Sequence, residues 1–360
     1  MTASTEDSAR SGIIAVPDRH RVDVDALAAW LRDRVADFQG PLTLDLFQGG
    51  QSNPTYRLTT PRASYVMRAK PGPVAKLLPS AHAIEREYRV LAALGRTDIP
   101  VARVYALCED ESVIGRAFYV MECVEGRVLW EQSLPGLSNA ERSAIYDEMN
   151  RVIAALHSVD YAAIGLGDYG KPGNYFARQI GRWSKQYQAS ETETIEAMNQ
   201  LIDWLPSHIP EGDETSVVHG DYRLDNLIFD RQHPRIRAVL DWELSTLGHP
   251  LADFSYHCMG WHIAPGQFRG IGGLDHAALG IPSERAYVEA YCRRTGRDTA
   301  RTLAHWDFYL AYNLFRLAAI LQGIKKRAVD GTASSAQALE QGQHVRPLAE
   351  LGWQFAQRVR

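Results

Sequence analysis

Val218-His219-Gly220-Asp221-Tyr222-Arg223-Leu224-Asp225-Asn226 decides how this 360-residue chain is to be read. The stretch puts a carboxylate, Asp221, five residues before a carboxamide, Asn226, on a polar loop after the β-branched run Ser216–Val218. Asp241 follows fifteen residues beyond Asn226, at the exit of a second apolar run, Ile236–Leu240. An acidic residue at the end of a strand is well placed to face a ligand. Together the three side chains supply hard oxygen ligands with one carboxylate to spare. Mg²⁺ favours such a partial protein shell, completed by phosphate and water.

Upstream of this loop the texture is different. Residues 1–21 read as a flexible tail, and Val22–Phe38 as a helix with Leu27, Trp30, Leu31 and Val35 on one face. Short strand-like runs follow at Leu42–Phe47, Thr55–Thr60 and Ser64–Lys70, then a helix over Ala81–Leu94 that Gly95 can stop. Val101–Leu107 and Arg116–Val124 complete about five strands. From Asn139 onward the pattern is mainly helical. An α+β, two-lobed chain is expected: an N-lobe over residues 22–121, a hinge over 122–126 and a larger C-lobe over 127–360. Ligands favour the cleft at such a junction.

Composition narrows the classes. The chain is 45% hydrophobic and 23% charged, with a formal net charge of −4, so a large core is affordable and no charge excess points to nucleic acid or an anionic membrane. The four cysteines form no C-x-x-C pair, which fits a reducing, cytoplasmic setting. Residues 1–20 lack an apolar signal core. The most apolar long stretch, Leu303–Ile324, carries His305, Asp307, Asn313 and Arg316, as a buried helix does and a membrane span does not. His249, His257, Cys258 and His262 fall close together, but without the spacing of a compact metal site. Oligomeric state is not legible.

The loop's spacing matches that of phosphoryl-transfer enzymes, with a catalytic Asp, a metal-binding Asn and a second metal-binding Asp. The block His219-Gly220-Asp221 to Asn226, followed by Asp241-Trp242-Glu243, resembles the aminoglycoside phosphotransferase-like kinase family over roughly Pro41–Gln322. The wording around Asp221 and Asp241 is similar to the kinase-like domain that precedes an acyl-CoA dehydrogenase in some eukaryotic chains. The resemblance implies a protein-kinase-like bilobal fold, with a five-stranded antiparallel N-lobe carrying one helix and a mainly helical C-lobe. It also implies an ATP- and Mg²⁺-dependent small-molecule kinase. Asp221 would orient the acceptor hydroxyl and take its proton, while Asn226 and Asp241 would hold Mg²⁺ on the phosphates. His219 would buttress the loop, and Asp253 would brace it.

The nucleotide side is read from periodicity together with that resemblance. Alternation puts Val66, Arg68 and Lys70 on one face of their strand. Glu87 sits within the inward stripe Ile84, Tyr88 and Leu91 and needs a cationic partner there. The family arrangement offers Arg68, and Lys70 can reach the same face. Gly49, Gly50, Ser52 and Asn53 are expected in a phosphate-covering turn. In Tyr119–Gly126, which resembles the hinge, the Glu122 carbonyl and Val124 N–H should meet the adenine edge, with Met121 behind it.

The acceptor side is less explicit. From Ser255 to the end, 13 Lys and Arg face 8 Asp and Glu, which suits an anionic or neutral acceptor better than a polycation. The likeness to dehydrogenase-fused domains implies a hydroxy acid or hydroxyacyl-CoA, with Arg223, Arg269 and Arg316 as candidate anion contacts. An aminoglycoside phosphotransferase and a nucleotide-binding pseudokinase are the alternatives. Gly266–Gly273 is expected to be a mobile loop near the acceptor.

Overall fold

A computed structural model describes residues 12–48, 53–71, 83–331 and 338–359. They divide into two compact units. The first gathers the described residues up to Trp130 with Ile164–Leu166 and Asn226–Ser245; the second holds Glu131–Ala163, Gly167–Asp225 and the remainder from Thr246.

The first unit is built on a six-stranded antiparallel sheet in the order β1-β2-β3-β4-β6-β5. Its strands are β1 (Ile13–Ala15), β2 (Thr43–Phe47), β3 (Thr55–Thr59), β4 (Ser64–Ala69), β5 (Val104–Cys108) and β6 (Phe118–Glu122). Helix α1 (Val24–Arg32) starts where the Asp23 carboxylate accepts the Ala26 N–H at 2.9 Å, a side-chain cap on an otherwise unpaired donor. Its Leu27 and Leu31 join Tyr56, Leu58, Met67, Phe118 and Val120 in one buried core. Helix α2 (Ile84–Leu94) buries Ile84, Glu87, Val90, Leu91 and Leu94. A second sheet of this unit, β10-β9-β7, joins β7 (Arg127–Val128), β9 (Leu227–Phe229) and β10 (Ile236–Val239).

Two expectations meet a different arrangement. Residues 13–15, placed in a flexible tail, pair with Phe47, Leu46 and Asp45, which makes the sheet six-stranded. Asn226–Ser245, placed with the residues after 127, clusters with the first unit, because β9 pairs β7. The two apolar runs flanking the polar loop pair with different strands: β10 pairs β9, while β8 (Ser216–Val218) pairs β11 (Thr246–Gly248).

The second unit is mainly helical. In chain order its helices are α3 (Asn139–His157), α4 (Tyr175–Ser190), α5 (Glu196–Trp204), α6 (Pro250–Cys258), α7 (His276–Leu279), α8 (Glu284–Thr295), α9 (Thr299–Ala304), α10 (Trp306–Val329), α11 (Ala338–Gly342) and α12 (Val345–Ala356). A capping box between Ser138 and Glu141 starts α3. Apolar on nearly every side, α10 is the central post against which α4, α6 and α12 pack. Among the described residues no helix is long and apolar enough to cross a membrane.

Candidate active site

In the first unit the chemistry centres on Glu87, 2% exposed on the inner face of α2. Three donors hold its carboxylate: Arg68 Nε at 2.8 Å with Nη2 at 3.2 Å, the Asn53 amide at 3.0 Å and the Tyr119 hydroxyl at 3.0 Å. Sheet register brings two of them together, since Arg68 on β4 stands directly across from Tyr119 on β6. Burial works against the Arg68 charge, but Glu87, with Tyr119, Asp241 and Glu243, outweighs it and raises the guanidinium pKa. Burial and the neighbouring Glu87 also push the Tyr119 hydroxyl well above its usual value, so it stays a donor.

Arg68 reaches further: its Nη2 lies 3.6 Å from Asp241 Oδ1 and 3.6 Å from Glu243 Oε2. Lys70, the other candidate for Glu87, donates instead to Glu85. Asp241 ends the β10 segment in the left-handed region, φ 63°, an uncommon conformation for a residue with a side chain. Its side chain is 34% exposed, so its oxygens remain reachable. Asn226 leads into β9, and the Leu240 N–H donates to its carbonyl at 2.8 Å, so strand pairing sets Asn226 beside the chain that delivers Asp241. A carboxylate and an amide oxygen on neighbouring segments suit a hard divalent cation that keeps water and phosphate in its shell. On the same unit Val66 and Met121 are buried register partners across β4 and β6. The Glu122 N–H is taken by the Arg103 carbonyl at 2.8 Å. Gly49, Gly50 and Ser52 lie outside the described residues; Asn53 is fully buried against Glu87.

The second unit holds the loop that opened the reading. Asp253, in the first turn of α6, is 3% exposed and accepts the His219 N–H at 2.7 Å and the Gly220 N–H at 2.8 Å. Its Oδ2 also lies 3.1 Å from His157 Nε2. Burial alone would raise the Asp253 pKa; the bonds from His157 and the His219 backbone overcome it and lower it. His219 is fully buried, and its Nδ1 accepts the Asp221 N–H at 3.2 Å. Gly220 turns the chain at φ 86°, where a side chain would be strained. Its carbonyl takes a 2.8 Å bond from Arg316. The Asp221 carboxylate is thereby presented with Oδ1 accepting the Tyr256 hydroxyl at 2.9 Å and Oδ2 3.2 Å from Arg223.

The three arginines expected at the acceptor have partners of their own. Arg316, 7% exposed, lies over the Tyr256 ring at 5.0 Å and donates to the Gly220 carbonyl of the loop. Arg223 sits between Asp221 and Asp225, and Arg269 pairs with the buried Asp225 at 2.7 Å. The glycine-rich segment, expected to be mobile, is tied by that ion pair and by Ile271 N–H to Gly260 O and Gly272 N–H to Ile263 O, both 2.8 Å. Gly270 approaches so closely that a Cβ there would stand 1.9 Å from the Ile263 carbonyl oxygen. The histidine group forms no metal cluster among the described residues: His249 caps α6, His257 meets the Tyr287 hydroxyl at 2.9 Å and His262 meets Glu284 at 2.8 Å.

Sequence reading gave no role of their own to Tyr119, Tyr256, Glu243 and His157. Tyr119 was accessible through alternation, two residues before Met121 on the same strand. Tyr256 and His157 act across long separations and leave no local signal.

The APH family model, described as the phosphotransferase enzyme family, matches residues 43–309. Mouse acyl-CoA dehydrogenase family member 10 is 47% identical over 336 residues, which cover 92% of this chain and 31% of that protein. The chain thus spans less than half the length of the curated dehydrogenase family members it matches. The crystal structure of a candidate aminoglycoside phosphotransferase from Ralstonia eutropha is 66% identical with a TM-score of 0.87, covering 94% of this chain and all of that one. Choline kinase from Cryptosporidium parvum, at 11% identity and a TM-score of 0.63, covers 91% of this chain and 96% of its own and shares the fold.

Proposed function

The chain belongs to the phosphotransferase enzyme family and is a phosphotransferase with an alcohol group as acceptor, and on that premise we propose that it moves the γ-phosphoryl group of ATP to the hydroxyl of a hydroxy acid or hydroxyacyl-CoA. The observation that carries the nucleotide side is the buried Glu87, which, itself held by Asn53 and Tyr119, fixes Arg68 as a directed cation beside Asp241. Arg68 neutralises phosphate charge, and its fixed orientation means little reorganisation is needed when that charge shifts. Asn226 and Asp241 would hold Mg²⁺, which when bound spreads the charge of the β- and γ-phosphates. Residues 122–126 serve as the hinge, where the Glu122 carbonyl and Val124 N–H meet the adenine edge and Val66 and Met121 flank it.

Asp221 orients the acceptor hydroxyl and receives its proton, a contribution that is mostly positioning in a loose phosphoryl-transfer transition state. The Tyr256 hydroxyl and Arg223 fix the carboxylate. Asp253 fixes the backbone that carries it. The acceptor class is supported by the likeness to acyl-CoA dehydrogenase family members and by the basic balance after Ser255. The four free cysteines suit a reducing, cytoplasmic setting.

An ADP-release screen at fixed ATP and Mg²⁺ tests the reading, with hydroxy acids, hydroxyacyl-CoA thioesters, choline and aminoglycosides as acceptors. Turnover with the acid or thioester group is expected. Turnover with aminoglycosides alone would overturn the acceptor class. Nucleotide-dependent stabilisation with no transfer to any acceptor would mark a pseudokinase.

A further inference from the structure

Beside Asp221 the second unit holds a small, half-open recess. Its wall includes Tyr256 and Arg223, the two groups that bond the Asp221 carboxylate, and Phe268 and Arg269 from the glycine-rich segment. Phe268 and Arg269 both have positive φ, 29° and 58°, and backbone strain of this kind concentrates at ligand clamps. The Arg269–Asp225 ion pair fixes that strained corner onto the catalytic loop.

Two polar side chains of the same wall are more than nine-tenths buried and incompletely bonded. Gln132, 7% exposed, has no hydrogen-bond partner for Oε1 among the described residues. Its backbone carbonyl accepts the Tyr146 hydroxyl at 2.8 Å, so its position is fixed. His257, 3% exposed, spends Nε2 on the Tyr287 hydroxyl at 2.9 Å and has no partner for Nδ1. Burial lowers the His257 pKa to about 4, so near neutral pH the ring offers one donor and one acceptor. A buried polar atom without a partner is destabilising, and native chains retain such atoms mainly where a ligand or water completes them. The charges at the rim already neutralise one another, since Arg223 and Arg269 face Asp221 and Asp225. The uncompensated demand inside is therefore for a neutral polar group that donates to Gln132 Oε1 and bonds the free ring nitrogen of His257.

We propose that this recess is an acceptor subsite in which Gln132 and His257 hydrogen-bond an uncharged hydroxyl or amide of the acceptor, carried near the hydroxyl that is phosphorylated. The inference rests on the kinase reading for its purpose, but its binding arm can be tested apart from turnover. The subsite selects acceptors that carry a second neutral polar group, and it disfavours a cationic group, which would find no unpaired carboxylate in the wall.

Binding is read first, on the full chain with ¹⁵N-labelled histidine. Titration with 1,3-butanediol should move the His257 ring resonance more strongly than 1-butanol does, and Gln132→Met should remove the difference. Kinetics follow, with ATP, Mg²⁺ and the best acceptor of the screen. Gln132→Met should raise the acceptor KM about tenfold, the scale of leaving one buried partner unpaired, with kcat within about threefold. Gly260→Ala is a second variant, since its Cβ would stand 3.6 Å from Gln132 Oε1 and fill space without strain; it should raise the acceptor KM severalfold. A His257 resonance insensitive to both alcohols, or an acceptor KM unchanged in both variants, would overturn the subsite. A crystal structure with a water on both groups that the diol leaves in place would do the same. Absence of phosphoryl transfer from wild-type chain, with the diol response intact, would instead overturn the kinase reading and leave the subsite standing.

Discussion

Arg68 and Lys70 pose the sharpest question among single residues, because alternation puts both on one face of their segment while, of the two, only Arg68 pairs with Glu87. A guanidinium presents a planar fork to a carboxylate and still has N–H groups to spare; an ammonium is a point charge. Arg68→Ala should therefore raise the KM for ATP about tenfold, the scale of a lost charge-assisted bond, and Lys70→Ala should leave it within about twofold. The reverse order in an ATP titration would reassign the phosphate cation. The sequence made Glu87 legible, because a carboxylate within an apolar stripe needs a partner. Alternation alone could not choose between two cations on one face; the choice was made by Tyr119 and Asn53, which complete the Glu87 shell from distant parts of the chain.

At the scale of elements, the first turn of α6 and the loop after β8 act as one piece. The Asp253 carboxylate holds two successive backbone N–H groups of that loop together with the buried His157. Asp253→Asn replaces an acceptor-only group by one whose amide must point a donor at another donor. Stability should fall by about 3 kcal/mol, as when one partner of a buried charged network is lost, and kcat should fall further than folding alone explains. Urea unfolding and kcat measured on the folded fraction check both; a stability loss with kcat intact would show that Asp253 supports the fold without placing Asp221. The loop itself was visible in the sequence because four polar residues at fixed spacing lie between apolar runs. Its strand pairing was not visible. Each of β8, β9 and β11 has only three residues, too few for a period to register, and hydrogen bonding to β11 or to β7 and β10 depends on segments far away. For the same reason β1 passed as tail: three residues, all exposed, reveal themselves only through pairing with β2.

For the whole molecule, histidine burial sets the response to acid. His249 and His257 are both lowered to about 4, chiefly by burial. In the unfolded chain they regain a pKa near 6.5, so below that pH the unfolded state binds more protons than the folded one, and stability declines as pH falls towards 4. Each should cost on the order of 2 kcal/mol between pH 7 and pH 5. Urea midpoints across that range check this, and a flat profile would contradict it. The division into a sheet-rich first part and a helical remainder was legible from the change of period along the chain. The allocation of Asn226–Ser245 to the first unit was not, because it follows from β9 pairing β7 and not from sequence order. Acceptor choice stayed faint because Gln132, the adjacent Tyr256 and His257, and Arg269 come from three separate segments that carry no common motif. Asp221 organises phosphoryl transfer in this reading, and ³¹P NMR of the full chain with ATP, Mg²⁺ and the screened acceptor observes that transfer itself. A new phosphomonoester resonance should grow with wild type and slow by at least about 10²-fold with Asp221→Ala; equal growth in both would contradict the account.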